Sequence, residues 1–455
     1  MSLNGESLQQ KLDRVGDPLI MLRDNRASRF KFPYPAVHTN WQDEQKSWTT
    51  TATLFDQSHH MTDVYFEGPD VTRLLRDTGT NSFRNWGAQR AKHFVACTAE
   101  GYMIGTAVLF GFEANRVSLV GPSAAANWLQ YLVETGDYDV EVHRDERTAD
   151  STRPRLTYRY EIEGPNTRAI LEKAQGRPLA DVKFFGMTEF TIAGRRVEAL
   201  SHTMAGVPGS SSMGFEIWGP LEDGPAVLDA LLAAGEEFGL VRGGALAYYT
   251  GSIESGYMAQ PTPGIYTSPD LRGYREWLPG GGYEGTLSVG GSFAPERLDD
   301  FYVTPYEFGY DHLVKFDHDF IGRSALEAIA DRPHPKKVWL HWHDDDVTEL
   351  FRSSLFDDPE ERAKYLDPPL GRYARVQADA VLYEDRQVGI SNMCGYTVNA
   401  RAWISVAMIE PELAVDGQEV VLLWGEEGGG TSKLAVERHR QRPVRATVRT
   451  SAPVH

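Results

Sequence analysis

The chain has 455 residues, and 46 Lys+Arg against 64 Asp+Glu leave a formal net charge of -18 at pH 7. Charged residues make up 24% and hydrophobic ones 41%, which excludes a disordered chain and leaves enough apolar material for two or three cores. A field this acidic excludes indiscriminate coating of nucleic acid or of an anionic membrane. Cys97 and Cys394 stand too far apart to suggest a disulfide framework or a paired-cysteine metal site. The opening MSLNGESLQQKLDR lacks the apolar core of a signal peptide, and no run approaches the roughly 18 apolar residues of a membrane span. The expectation is a soluble cytoplasmic protein.

In chain order, the first half repeats one local pattern. A β-prone run ends in Gly-Pro and leads into a helical pattern in VYFEGPDVTRLL, VSLVGPSAAANWLQYLV, YRYEIEGPNTRAILEKA and FEIWGPLEDGPAVLDALLAA, with turns at Gly68, Gly121, Gly164 and Gly219. Proline is favoured at a first helical position, where its missing N–H costs nothing, so each run predicts a strand, a turn and a helix. Two such pairs in tandem predict a duplicated α+β architecture, divided near residue 150 by the charged linker HRDERTADSTRPR. The helix after Gly219 ends near Gly239, and LPGGGYEGTLSVGGSF predicts a turn-rich connection. From Lys336, the short alternating runs KKVWLHW, ADAVLYEDRQVGIS, WISVAMI and QEVVLLWG predict a β-barrel. The acidic stretch from His343 to Leu370 reads as an exposed excursion, and Asp344 to Asp346 beside His341 and His343 as a solvated turn and not a metal site. The three parts are 1–150, 151–335 and 336–455.

No nucleophile elbow, P-loop or zinc-protease helix is present. In LFDQSHHMTDVYFEGPD, the adjacent His59 and His60 point to opposite faces of an extended chain, so one of them can address a pocket. In GGALAYYTGSIESGYM, Tyr248, Tyr249 and Tyr257 sit among small residues that let a ligand approach. A tyrosine with a pKa near 10 matches a phenolate leaving group.

LFDQSHHMTDVYFEGPD resembles the opening motif of the aminomethyltransferase (T-protein) family of the glycine cleavage system, and PYEFGYDHLVKFDHDFIGRSAL resembles its second motif. The blocks VGPSAAANWLQYLVETGDY, MAGVPG, FEIWGP, YREWLPGGGYE, VGGSF, QADAV and LLWGEEGGGT are similar to the tetrahydrofolate-dependent aryl O-demethylase and methylene transferase branch. The resemblance spans about residues 40 to 450 and implies an α+β, three-domain cloverleaf with a C-terminal β-barrel and folate in its central channel. It implies tetrahydrofolate as cofactor, Tyr248, His60 and Gln57 as catalytic residues, and Glu216, Tyr257 and Phe185 as folate contacts. Pro122, His59 and Tyr34 are expected on the substrate.

Two departures shape the expectation. Gly105 and Thr106 stand where the T-protein has an aspartate, which argues against glycine decarboxylation chemistry. Pro122 stands where demethylases of aromatic acids carry an arginine, and a buried carboxylate without a cation would be costly. The resemblance thus implies one-carbon transfer from a neutral aryl ether, such as a methylenedioxyphenyl (sesamin-type) lignan or a methoxyphenol. A vanillate-type acid demethylase and a non-catalytic folate-binding protein are the alternatives. The basic stretch with Lys433, Arg438, Arg440, Arg442, Arg445 and Arg449 is a candidate partner for the folate glutamate.

Overall fold

The computed structural model describes residues 5–25, 34–205 and 213–452. All four Gly-Pro runs form their strand and helix: Thr62–Glu67 with Val71–Thr78, Arg116–Gly121 with Ser123–Thr135, Thr157–Gly164 with Thr167–Gln175, and Met213–Pro220 with Gly224–Gly235. Gly68 shows why glycine ends the strand. Its φ is +151°, and a Cβ there would stand 2.3 Å from the carbonyl oxygen of Asp139. The prolines sit before the first helical residue and not at it, since Pro122 caps its helix with φ -59° and ψ 137°. Leaving the sheet requires an extended residue after the glycine, and proline supplies that fixed φ.

Two sheets carry these units. The first is antiparallel and runs Arg90–Cys97, Met103–Glu113, Arg116–Gly121, Thr62–Glu67, Glu141–Asp145. The second runs Leu240–Gly243, Ala52–Asp56, Thr157–Gly164, Met213–Pro220, Arg195–Ser201, Met187–Ile192. Ala52–Asp56 precedes the first sheet in sequence but pairs with Thr157–Gly164 and Leu240–Gly243 of the second. The chain therefore crosses between sheets over residues 57–61, the segment that holds Gln57, His59 and His60.

The expected barrel is closed: Lys336–Trp342, Ala402–Ile409, Arg386–Thr397, Asp379–Tyr383, Glu419–Trp424 and Arg442–Arg449. The acidic excursion begins as a helix, Asp344–Phe356, with Leu350 buried in the barrel core. Its three leading aspartates suit the positive end of the helix dipole. The basic stretch is corrected at three of its cations: Arg445 pairs with Asp346 at 2.7 Å, Arg440 with Glu361 at 2.7 Å and Arg438 with Glu360 at 3.1 Å. Opposite charges of one domain meet each other, which leaves these arginines committed to acids and not to a folate tail. Among the described residues no helix is long and apolar enough to cross a membrane.

A buried ionic seam joins the sheets. Arg159, 2% exposed, reaches Asp63 of the first sheet at 3.1 Å and also pairs with Glu216 of the second. Arg155 adds contacts to Asp63 at 3.3 Å and Asp145 at 3.4 Å. Burial acts to lower the Arg159 pKa, but Asp63 and Glu216 outweigh it and hold the pKa above its ordinary value. Replacing Arg159 by Met would strand the buried Glu216 carboxylate and leave Asp63 with Arg155 alone, and is expected to cost about 3–5 kcal/mol. The check is a lower denaturant midpoint at unchanged slope; a loss under about 1 kcal/mol would show that the seam contributes little.

Candidate active site

A cavity of about 530 Å³ lies where the two sheets and the barrel meet, within the range of ligand pockets. The first sheet contributes His93, Val108 and Val120, the second Glu216, and the barrel Lys337 and Met393. The crossover contributes Gln57 and His60, and the helix Ala245–Ser255 contributes Tyr248 and Tyr249. That helix is seated closely because Gly243 and Gly244 precede it. A Cβ on Gly243 would stand 2.1 Å from the Phe55 ring, and one on Gly244 would stand 2.5 Å from the Ala36 carbonyl.

The Tyr248 hydroxyl is the point of convergence. His60 Nε2 lies 3.0 Å from it, and Gln57 Nε2 donates to it at 3.2 Å. The same Gln57 nitrogen donates to Glu161, which orients the amide. The rings of His60 and Phe55 meet Tyr248 edge to face at 5.0 and 5.2 Å. Burial pushes the Tyr248 phenol well above its usual pKa, and the Glu161 carboxyl beneath it adds to the effect. Burial also lowers the His60 pKa to about 3, with Arg155, Arg147 and Arg159 acting in the same direction. Glu161 is itself raised well above the carboxylate range by burial and by Glu216. Burial thus favours the uncharged forms of the phenol, the imidazole and the Glu161 carboxyl in the resting site.

Around this centre the donors and acceptors suit a pteridine. Glu216 lines the cavity with Arg159 behind it, so a carboxylate with its charge already supported is available to ring N–H donors. Gln57 Oε1 is buried without a hydrogen-bond partner among the described residues, an acceptor that a ligand would satisfy. Phe185, at φ +61°, is held in the left-handed region on the cavity wall by its N–H to Ser201 at 2.8 Å. Tyr257 lines the cavity with its ring 5.5 Å from His93. No acid fits where the T-protein motif has one: a Cβ on Gly105 would stand 2.9 Å from the Ala125 nitrogen, and Thr106 bonds the Ala259 carbonyl at 3.2 Å.

Of the residues expected from sequence, Gln57, His60, Tyr248, Glu216, Tyr257, Phe185 and Pro122 line one cavity. His59 and Tyr34 do not. His59 turns to the opposite side of the crossover and meets Thr148 at 2.8 Å. Tyr34 donates to the Gly243 carbonyl and accepts the Asp56 N–H at 3.2 Å, which braces the crossover from outside. Of MAGVPG, residues 206–209 lie outside the described residues. Sequence reasoning missed Arg159 and Glu161, though YRYEIEG carries a signal: Tyr158, Tyr160 and Ile162 face the second core while Arg159, Glu161 and Glu163 share the other, equally buried face. It also missed Arg147 and Arg155, because a charged stretch reads as a linker whether its arginines are solvated or paired.

The comparisons agree with this architecture. Residues 25–262 match the family model for the GCVT N-terminal domain. The chain is 43% identical over 451 residues to a syringate O-demethylase from Sphingobium sp., covering 99% of this chain and 96% of that one. It is 29% identical to a sesamin methylene transferase from Sinomonas sp., covering 81% and 80%. The fold is that of the glycine cleavage system aminomethyltransferase T from Bartonella henselae, with a TM-score of 0.61 over 98% of this chain and 97% of that one at 14% identity. With the family model, a relative along nearly the whole chain and the same fold all in agreement, this protein belongs to the GCVT family.

Proposed function

We propose that this protein takes a one-carbon unit from an aryl ether and passes it to tetrahydrofolate, releasing a phenol or a catechol. The Tyr248 hydroxyl, held by His60 and Gln57 at the cavity wall, is the observation that carries the reading. Relatives named for syringate O-demethylation and for sesamin methylene transfer support it. Tetrahydrofolate, when bound, supplies N5 as the acceptor of the carbon, and Glu216, Phe185 and Tyr257 are the residues that would hold its pteridine.

The chain's own task is to help the ether oxygen leave. With Gln57 donating to the Tyr248 oxygen and the neutral His60 able to do the same, the tyrosine hydrogen is free to turn toward the departing aryl oxygen. A phenol raised above its ordinary pKa keeps that hydrogen, so Tyr248 acts chiefly as a donor that stabilises the developing phenolate in a water-poor site. His60 and Gln57 hold the phenol in line, and Glu161 holds Gln57.

Pro122 offers the substrate no cation, which supports a neutral ring such as a methylenedioxyphenyl lignan or a methoxyphenol. Arginines elsewhere in the same cavity support a second reading, an aromatic acid of the vanillate type. A division at about residues 150 and 335, with Ala52–Asp56 exchanged into the second sheet, and a cytoplasmic location belong to the same reading, the latter supported by the charge of -18 and two free, buried cysteines.

The test is to incubate the protein with tetrahydrofolate and a panel of methoxy and methylenedioxy aromatics and identify the folate product by mass. A methyl-bearing folate means demethylation and a methylene-bearing one means methylene transfer; folate binding with no product from any ether would leave a binding protein. Tyr248→Phe is expected to lower kcat about a hundred- to a thousandfold while tetrahydrofolate affinity stays within about threefold; wild-type turnover would reduce Tyr248 to a packing residue. Because His60 is already neutral above about pH 3, kcat is expected to show no inflection near 6.5, the ordinary histidine value. A break near pH 6.5 that disappears in His60→Gln would show that His60 titrates during turnover.

A further inference from the structure

Beside Tyr248 the cavity wall carries positive charge that the protein itself leaves uncompensated. The ring of Tyr249 stands 5.6 Å from that of Tyr248, and Tyr249 lines the cavity with Arg147, Arg372, Arg375 and Tyr283. Arg147 is committed to Asp150, with Nη2 at 3.1 Å from one of its oxygens. Arg372 donates to the Ala374 carbonyl at 3.0 Å, the Arg375 carbonyl at 2.6 Å and the Gln260 side-chain oxygen at 3.0 Å. Arg375 stands 5.2 Å over the Tyr283 ring and reaches that residue's carbonyl at 3.5 Å. Among the described residues neither Arg372 nor Arg375 forms an ion pair, and Asp150 reaches Arg375 only through its field.

Neutral carbonyls and ring faces steady a guanidinium without cancelling its charge. Burial lowers the pKa of both arginines, and Arg147 and Arg372 lower that of Arg375 further. A guanidinium keeps its proton at physiological pH, so two half-buried cations share one wall. Such an arrangement is unfavourable until an anion arrives, and a planar carboxylate is the anion whose two oxygens match a guanidinium fork.

We propose that Arg372 and Arg375, with Arg147 beside them, form a carboxylate subsite on the Tyr249–Tyr283 wall of the cavity. It rests on the aryl ether reading above and supplies the cation that Pro122 does not. The carboxylate has two possible sources, the ring acid of an aromatic ether or the glutamate of the folate. The subsite lies outside the hydrogen-bonded group of Tyr248, His60 and Gln57.

Calorimetric binding separates the sources and needs no turnover. Dimethoxybenzoate is compared with neutral dimethoxytoluene, and tetrahydrofolate with a tetrahydropterin that lacks the aminobenzoylglutamate, in the full-length protein. Wild type is expected to prefer the carboxylate member of at least one pair. Arg375→Met and Arg372→Met are expected to weaken that member about 10- to 100-fold and leave its neutral partner unchanged, with Arg375→Lys intermediate. Loss confined to the benzoate pair assigns a ring acid, and loss confined to the folate pair assigns the cofactor tail. The proposal is overturned if wild type shows no carboxylate preference in either pair, a result that does not depend on any variant folding, or if folded variants keep the full preference. Carboxylate preference without carbon transfer from any ether would instead remove the functional reading and leave the subsite standing.

Discussion

The placement of the site depends on charges that have been taken out of water. Asp63 on one sheet and Glu216 on the other share Arg159, while Arg155 ties Asp63 to Asp145. Desolvating these groups is expensive, and the cost is offset only when each finds its partner at short range. The pairing is therefore selective for one arrangement of the two sheets. An apolar contact of similar area would tolerate a shift of the sheets by a residue, and this one would leave a bare charge. The crossover that carries Gln57 and His60 runs between the strands so held, which places Gln57 under Tyr248.

The same seam shapes the chemistry. Glu216 borders the cavity and is half of a pair with Arg159, so its negative charge is supported on the protein side and its remaining capacity points to a ligand. Directly opposite it on the neighbouring strand, Glu161 has no such guanidinium among the described residues, and burial drives it toward its neutral form. Of these two acids on one strand pair, Glu216 has the guanidinium as its partner, while Glu161 is left to the effect of burial. Tyr248 and His60 follow the second pattern, kept neutral by burial. A site of neutral donors has little of its own charge to reorganise when an aryl oxygen develops negative charge.

Legibility in the sequence followed the range of the interactions. The Gly-Pro turns were readable because a positive φ and a close backbone approach at Gly68 are demands on single residues. The barrel was readable from alternation of period two, and Tyr248, His60, Gln57 and Glu216 from motifs. The acidic stretch after His343 and the basic stretch after Lys433 looked like an exposed loop and a ligand surface, and three ion pairs through Arg438, Arg440 and Arg445 join them. Arg155 and Arg147 sat in what read as a linker, yet one is buried in the seam and the other lines the cavity.

By itself, the sequence determined the elements, the family motifs and the identity of the groups able to do chemistry, because turns, periodicity and side-chain type are local properties. Tertiary structure alone decided which of those groups meet. It brought His60 to Tyr248 across 188 residues and turned His59 away to Thr148. It also left Arg372 and Arg375 facing a cavity instead of an acid. The physical reason is that the value of a charge or a hydroxyl is set by burial and by partners distant in the chain. Composition counts such groups alike whether they are solvated, paired or waiting for a ligand.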